Sequence, residues 1–260
     1  MARARGKKVA IVTGGGTGIG RGIANRLAAD GYRVAVLGRR LDRLKPKRGE
    51  KNLHPYVCDI AKLDDIERTV KAVLADLGRI DVLVNNAGVL RRQFADKITQ
   101  EAINYTIGVN LIGTINFCVV CIPALKKTKG AIVNVSSTLT DRCYAEYAVY
   151  AASKGGINAF SRTLAVELAP QGVRVNVVSP SLVRSEIYLP DGMSQKTYDH
   201  HLDVAAKSYF PIGRAGEPED VAAAVAFLAS PAAAWVTGIV MTVDGGEAAG
   251  MKYAGPEPAG

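Results

Sequence analysis

A chain of 260 residues, 48% of them hydrophobic, has the length for one large α/β domain or two small ones and the apolar content for a substantial core. Its formal charge of +9 lies wholly in two stretches, Arg3 to Lys8 and Arg39 to Lys51, and only 6% of its residues are aromatic. A nucleic-acid groove needs basic side chains spread over a face and mixed with aromatics, so nucleic acid is not an expected partner. No apolar run approaches the roughly 20 residues of a membrane span, and no apolar segment follows "MARARGKK" to make a signal peptide. The sequence therefore predicts a soluble, cytoplasmic protein without a membrane partner, headed by a flexible basic segment, residues 1–7.

Short Val/Ile-rich runs then recur: "KVAIVTG", "RVAVLG", "HPYVCD", "IDVLVNNAG", "GAIVNVSS", "VRVNVVSP" and "GIVMTVDGG". Runs apolar throughout, rather than alternating, suit strands buried on both faces of a parallel sheet. Segments of helical period lie between them, as in "LDDIERTVKAVLADLG". Strand and helix alternating end to end imply right-handed crossovers and a doubly wound sheet with helices on both faces. Residues 1–260 have no internal linker or repeat, so a single domain is expected. Residues 181–213 interrupt the alternation with polar, aromatic and turn residues, beyond the strand end where open α/β sheets bind ligands; they are expected to form a substrate lid. The tail, residues 248–260, is expected to be loose or docked on a neighbouring subunit.

Four cysteines are too few for a disulfide scaffold. Cys118 and Cys121 form a C-x-x-C, but their flanks, "NFCVVCIPAL", are almost wholly apolar and no second ligand pair stands at metal spacing. They read as small hydrophobes on a buried helix face, with no metal site.

"TGGGTGIG" follows the first strand and opens the first helix. Gly14, Gly18 and Gly20 would let the backbone turn tightly, approach a pyrophosphate and pack helix on strand, with Gly16, Thr17 and Ile19 completing the turn. The end of the second strand would then face the adenosine ribose. The position where an acid would bind both ribose hydroxyls of NAD is Gly38, and Arg39 and Arg40 follow it. A guanidinium fork suits a phosphate dianion, so NADP(H) is the expected cofactor, Arg39 its main reader, with NAD(H) the alternative. Lys45 to Lys51 read as a solvated loop.

"YAASK" sets Tyr150 and Lys154 on one helix face. A phenol titrates near 10, and an ammonium about 4 Å away would contribute on the order of 4 kcal/mol toward its ionisation, bringing it near neutrality. Together with the motifs already named, this makes the chain resemble a classical short-chain dehydrogenase/reductase from about Lys8 to Gly246. The resemblance implies a Rossmann fold with a seven-stranded parallel sheet. It implies adenine contact at Asp59, with Ile60 beside it, and a cofactor border at Asn86, Ala87 and Gly88 in "NNAG". It also implies a catalytic tetrad of Asn110, Ser137, Tyr150 and Lys154. Tyr150 would exchange the proton of a carbonyl or alcohol oxygen, Ser137 would position that oxygen, and Lys154 would hold the nicotinamide ribose and lower the phenol's pKa. Asn110 would support a water relay.

Two departures stand in "SPSLVRSE", which contains Pro180. Ser181 replaces the family's usual glycine and Ser185 its threonine, with Val183 supplying backbone. Ser181 brings a Cβ near the nicotinamide. The C-terminal "GRAGEPEDVAAAVAFLASPAAAWVTGIVMTVDGG" resembles the segment through which many members form tetramers, so a homotetramer is expected. Expected substrate contacts are Arg91, Leu139, Arg142, Tyr144, Tyr188 and Met193, with Arg91, Arg92 and Arg142 as candidate anchors for a substrate anion. The small-molecule partner is read as a ketone or secondary alcohol. The chain also resembles 3-oxoacyl carrier-protein reductases, which makes an acyl thioester ketone one alternative and an NAD-linked sugar or polyol another. A non-catalytic nucleotide sensor would have no need of Ser137, Tyr150 and Lys154 together.

Overall fold

The computed structural model describes residues 6–187 and 193–250. Successive side chains of a strand point to opposite faces, so an apolar run without alternation needs a core on each side. β1 (Val9–Thr13) meets that condition: Val9 and Ile11 enter one core, Ala10 and Val12 the other. β2 (Arg33–Gly38), β4 (Val82–Asn85), β5 (Ala131–Val135) and β6 (Arg174–Pro180) repeat the pattern, while β3 (Leu53–Val57) and β7 (Val240–Val243) form the edges. The sheet is parallel throughout, in the order β3-β2-β1-β4-β5-β6-β7. The chain crosses from β3 over the sheet to β4 beside β1, and ligand clefts of open α/β sheets form at this reversal.

Helices cover both faces. α1 (Gly18–Ala29) packs on one side with the last long helix, α8 (Pro218–Ala229), which opens with a reciprocal capping box between Glu217 and Asp220. Between them lie α2 (Leu41–Leu44), α3 (Leu63–Leu77), α4 (Gln100–Ile107), α5 (Gly113–Thr128), α6 (Ala148–Leu168) and α7 (Gln195–Ser208). α3, α5 and α6 supply Ile66, Val70, Phe117, Leu125, Leu164 and Leu168 to the opposite core. A π-helical turn, Gly108–Ile112, joins α4 to α5 without a break.

The continuous stretch Gln100–Thr128 corrects one sequence expectation, because by length and composition it is a helix able to cross a membrane. Phe117, Cys118, Cys121 and Leu125 of that stretch are nevertheless fully buried in the core against the sheet. The same burial settles the C-x-x-C pair. Burial pushes the Cys118 thiol up to about 12 and raises that of Cys121, so both stay protonated in the core, with Cys118 Sγ accepting from Asn85 Nδ2 at 3.3 Å.

Candidate active site and dinucleotide cleft

The glycines after β1 are required by what surrounds them. Gly14 has a φ of +64°, and a Cβ there would stand 2.8 Å from the Ala87 Cα. A Cβ on Gly20 would strike the Gly14 carbonyl and lie 2.5 Å from Asn86 Nδ2. The turn is laced to the segment after β4: the Thr13 hydroxyl accepts from the Asn86 and Ala87 amides at 3.0 and 3.1 Å, and Asn86 Nδ2 donates to the Thr13 carbonyl at 3.0 Å. Thr17, the N-cap of α1, makes no side-chain cap, so the first amides of that helix face the cleft. Bare backbone donors on a glycine cradle fit a pyrophosphate.

The cleft runs across the C-terminal ends of the strands with a volume of about 700 Å³. Every residue expected to hold the cofactor lines it, among them Gly14, Arg39, Arg40, Asp59, Ile60, Gly88, Pro180, Val183 and Ser185, with Gly18 against Ser185. At the adenosine end Arg39 and Arg40 are exposed and no carboxylate stands at Gly38. Lys45, Lys47, Arg48 and Lys51 are exposed as well. The backbone that carries Lys45 and Lys47 is not loose: buried Arg21 donates to the Arg43 and Lys45 carbonyls at 2.7 and 3.1 Å and pairs with Glu50 at 3.4 Å. The Asp59 carboxylate accepts from the Ala61 amide at 3.2 Å, which fixes its direction.

At the other end stand Ser137, Tyr150 and Lys154. Ser137 follows β5, accepts from the Leu139 amide at 3.2 Å and lines the cleft together with Tyr150. Its neighbour Ser136 turns away and donates to the Lys154 carbonyl at 3.2 Å. Asn110 is fully buried behind Gly88. Its amide oxygen accepts from the Val89 amide at 2.8 Å, and its nitrogen donates to the Val89 carbonyl at 3.0 Å and to Ser153 at 3.1 Å. The π-helical turn that carries it thus ties the end of β4 to the helix bearing Tyr150. Its side chain is spent on that tie.

The electrostatics differ from the sequence expectation. Lys154 Nζ donates to the Val135 carbonyl at 2.8 Å and lies 5.7 Å from the centroid of the Tyr150 ring. Burial therefore outweighs attraction between the two groups: it pushes the phenol up to about 12, against a lowering hydrogen bond from Ser137, and the ammonium down to about 8. In this geometry Tyr150 is held protonated and does not titrate near neutrality.

Among the expected substrate contacts, Leu139, Tyr144 and Arg91 line the cleft, the last with its guanidinium 5.3 Å from the Tyr105 ring. Arg142 corrects the anion-anchor reading. It donates to the Glu247 carbonyl at 2.8 Å, stands 3.8 Å from that residue's carboxylate and stacks near Tyr144 and Tyr209, so its charge is committed. Met193 packs on the small apolar cluster of Tyr198, Leu202 and Phe210, of which Phe210 lines the cleft. Tyr188, like the ends of the basic head and the tail, lies outside the described residues.

Sequence reasoning missed several lining residues, among them Tyr147, His201, Tyr209, Phe210 and Glu247. It also missed Tyr198, whose hydroxyl donates to the Val183 carbonyl at 2.8 Å and accepts from the Ser185 amide at 2.9 Å, tying α7 to the cofactor side of the cleft. The Cβ of Ser181 is accommodated, and its hydroxyl donates to the Glu247 carboxylate.

A glycine phosphate cradle at the sheet's reversal point, with a serine, tyrosine and lysine at its far end, defines a nicotinamide-dependent oxidoreductase site. The family model described as enoyl-(acyl carrier protein) reductase matches residues 14–247. Carbonyl reductase family member 4 of Xenopus laevis is 38% identical over 242 residues, 92% of this chain and 97% of its own. The D-threitol dehydrogenase of Mycolicibacterium smegmatis is 36% identical over 245 residues, covering 92% of both chains. Among solved structures, the 3-ketoacyl-(acyl-carrier-protein) reductase of Brucella melitensis complexed with NADH superposes with a TM-score of 0.83 at 32% identity, over 93% of this chain and 98% of that one. The chain belongs to the short-chain dehydrogenase/reductase family and is an oxidoreductase acting on alcohol or carbonyl groups.

Proposed function

We propose that the chain is an NADP(H)-dependent reductase of small ketones, working in reverse on the matching secondary alcohols. The observation that carries the cofactor reading is the end of β2, where the exposed Arg39 and Arg40 border the cleft and Gly38 carries no carboxylate. A carboxylate there would repel a 2′-phosphate, whereas Arg39 offers it paired donors and Arg40 adds charge. Gly14 to Gly20 and the open amides of α1 hold the pyrophosphate, Asp59 and Ile60 border the adenine, and Lys154 holds the nicotinamide ribose.

The nicotinamide, when bound, supplies or accepts the hydride. Tyr150 gives its proton to the substrate oxygen in reduction; a phenol near 12 is kept in the acid form yet is far more acidic than an alkoxide's conjugate alcohol. Ser137 hydrogen-bonds the same oxygen and fixes its distance from the phenol. Asn110 keeps Val89 and α6 in register with one another. Residues 181–213 act as the lid, with α7 moving the cofactor contacts at Val183 and Ser185 through Tyr198. Exposed apolar residues beside β7 and α8, including Phe227, Ile239 and a wholly exposed Trp235, suit burial against other copies in a homotetramer.

Fluorescence titration with NADPH and NADH tests the cofactor reading. The wild type should bind NADPH more tightly, and Arg39→Ala should remove about 1.5–3 kcal/mol of that preference, or about 10- to 150-fold. Equal loss for both nucleotides would sink it.

A further inference from the structure

Glu247 follows the turn after β7, 66 positions from Ser181 in sequence, yet its carboxylate stands in the wall of the cleft beside the residue adjoining Ser137. It is buried to 6% exposure and held on three sides by hydroxyls. The Tyr144 phenol donates to Oε1 at 2.9 Å, and Thr138 at 3.3 Å and Ser181 donate to Oε2. Arg142 clamps the residue through its carbonyl and stands at 3.8 Å from Oε1. A carboxylate offers about four acceptor positions, and those three hydroxyls leave one on Oε1 that Arg142 Nη1 approaches only to 3.8 Å, in a residue that lines the cleft. Such convergence on one buried carboxylate exceeds what a structural ion pair needs, because Arg142 already reaches the backbone. It also gives Ser181, the departure from the family's glycine, a chemical use.

We propose that Glu247 is a substrate-specificity residue whose oriented carboxylate accepts a hydrogen bond from a hydroxyl adjacent to the reacting carbon, selecting neutral hydroxylated ketones and their polyols. An alkyl group at that place would leave a desolvated acceptor unsatisfied, and a carboxylate or phosphate would meet like charge. Tyr144, Thr138 and Ser181 are positioning residues that act through Glu247. The inference rests on the oxidoreductase reading above and names its substrate class.

The test compares hydroxyacetone, its near-isostere 2-butanone and the anionic pyruvate, measured as kcat/KM with NADPH for the wild type, Glu247→Gln and Ser181→Gly. The wild type should favour hydroxyacetone over 2-butanone by about 10- to 100-fold, the worth of a hydrogen bond to a charged group. Glu247→Gln should cut that ratio to within about 3-fold and raise relative activity on pyruvate, since the charge is removed and one acceptor oxygen becomes an N–H donor. Ser181→Gly, which frees one lone pair and loosens the carboxylate, should lower the ratio partway; it keeps the test in force if the first variant does not fold. NADPH affinity measured in parallel separates a local change from a collapsed site. A wild type that prefers 2-butanone, or a Glu247→Gln that lowers both ketones equally, overturns the proposal and leaves the reductase reading intact. No turnover of any ketone overturns both.

Discussion

Replacing Lys154 by Met isolates the energetic cost of the site's buried charge. Lys154 is 3% exposed, and burial brings its ammonium from 10.5 down to about 8. A group depressed that far costs the fold about 3 kcal/mol near pH 7, where both the folded and unfolded chains carry the proton. Between pH 8 and 10.5 the unfolded chain binds the proton and the folded one does not, so stability rises with pH and the cost fades to about 1 kcal/mol by pH 10. Tyr150 has the opposite sign, but its window lies between 10 and about 12, so it does not mask the effect. Methionine removes the charge but leaves the Val135 carbonyl without its donor, which costs about 1–3 kcal/mol at every pH. Urea unfolding of nucleotide-free wild type and Lys154→Met should therefore show the variant gaining relative stability at pH 7, and that gain falling by about 2 kcal/mol between pH 7 and pH 10. A stability difference that does not change with pH would refute the buried-ammonium account.

Gly20→Ala drives a Cβ into the Gly14 carbonyl, so nucleotide-dependent stabilisation in a thermal melt should vanish, with a stability loss of about 1–3 kcal/mol from overpacking. Preserved binding would mean the turn can open. Asn110→Ala strips partners from the part-buried Val89 amide and carbonyl and from buried Ser153; unfolding stability should fall by about 2–4 kcal/mol and kcat should drop more than NADPH affinity. A normal urea midpoint with lost turnover would instead assign Asn110 to the chemistry alone.

The sheet was legible because its strands are apolar without alternation, a pattern that few arrangements other than a two-sided core accept. The cofactor end was legible for a similar reason: glycines, arginines and the Asn86–Gly88 segment act from positions fixed by strand ends. The parts that sequence misread depend on partners distant in the chain. Arg142 looked free because Glu247, 105 positions on, cannot be paired with it by spacing. Lys154 looked like a neighbour that would acidify Tyr150, since a four-residue step fixes the helix face but not whether the ammonium turns to the phenol or to a strand carbonyl. Ser181 read as a disturbance of backbone geometry, and only the fold shows its hydroxyl in use. The helix 100–128 spans membrane length because a π-turn joins two shorter helices, and nothing local in the apolar pattern marks that join.

The central claim is that Tyr150 delivers the proton in a nicotinamide-dependent reduction. Steady-state NADPH oxidation with a ketone panel, alongside NADPH titration, for the wild type and Tyr150→Phe tests it directly. The account predicts turnover by the wild type, a loss of about 10²- to 10⁴-fold in kcat for the variant and unchanged NADPH affinity. A variant that keeps wild-type kcat while binding NADPH normally would contradict it.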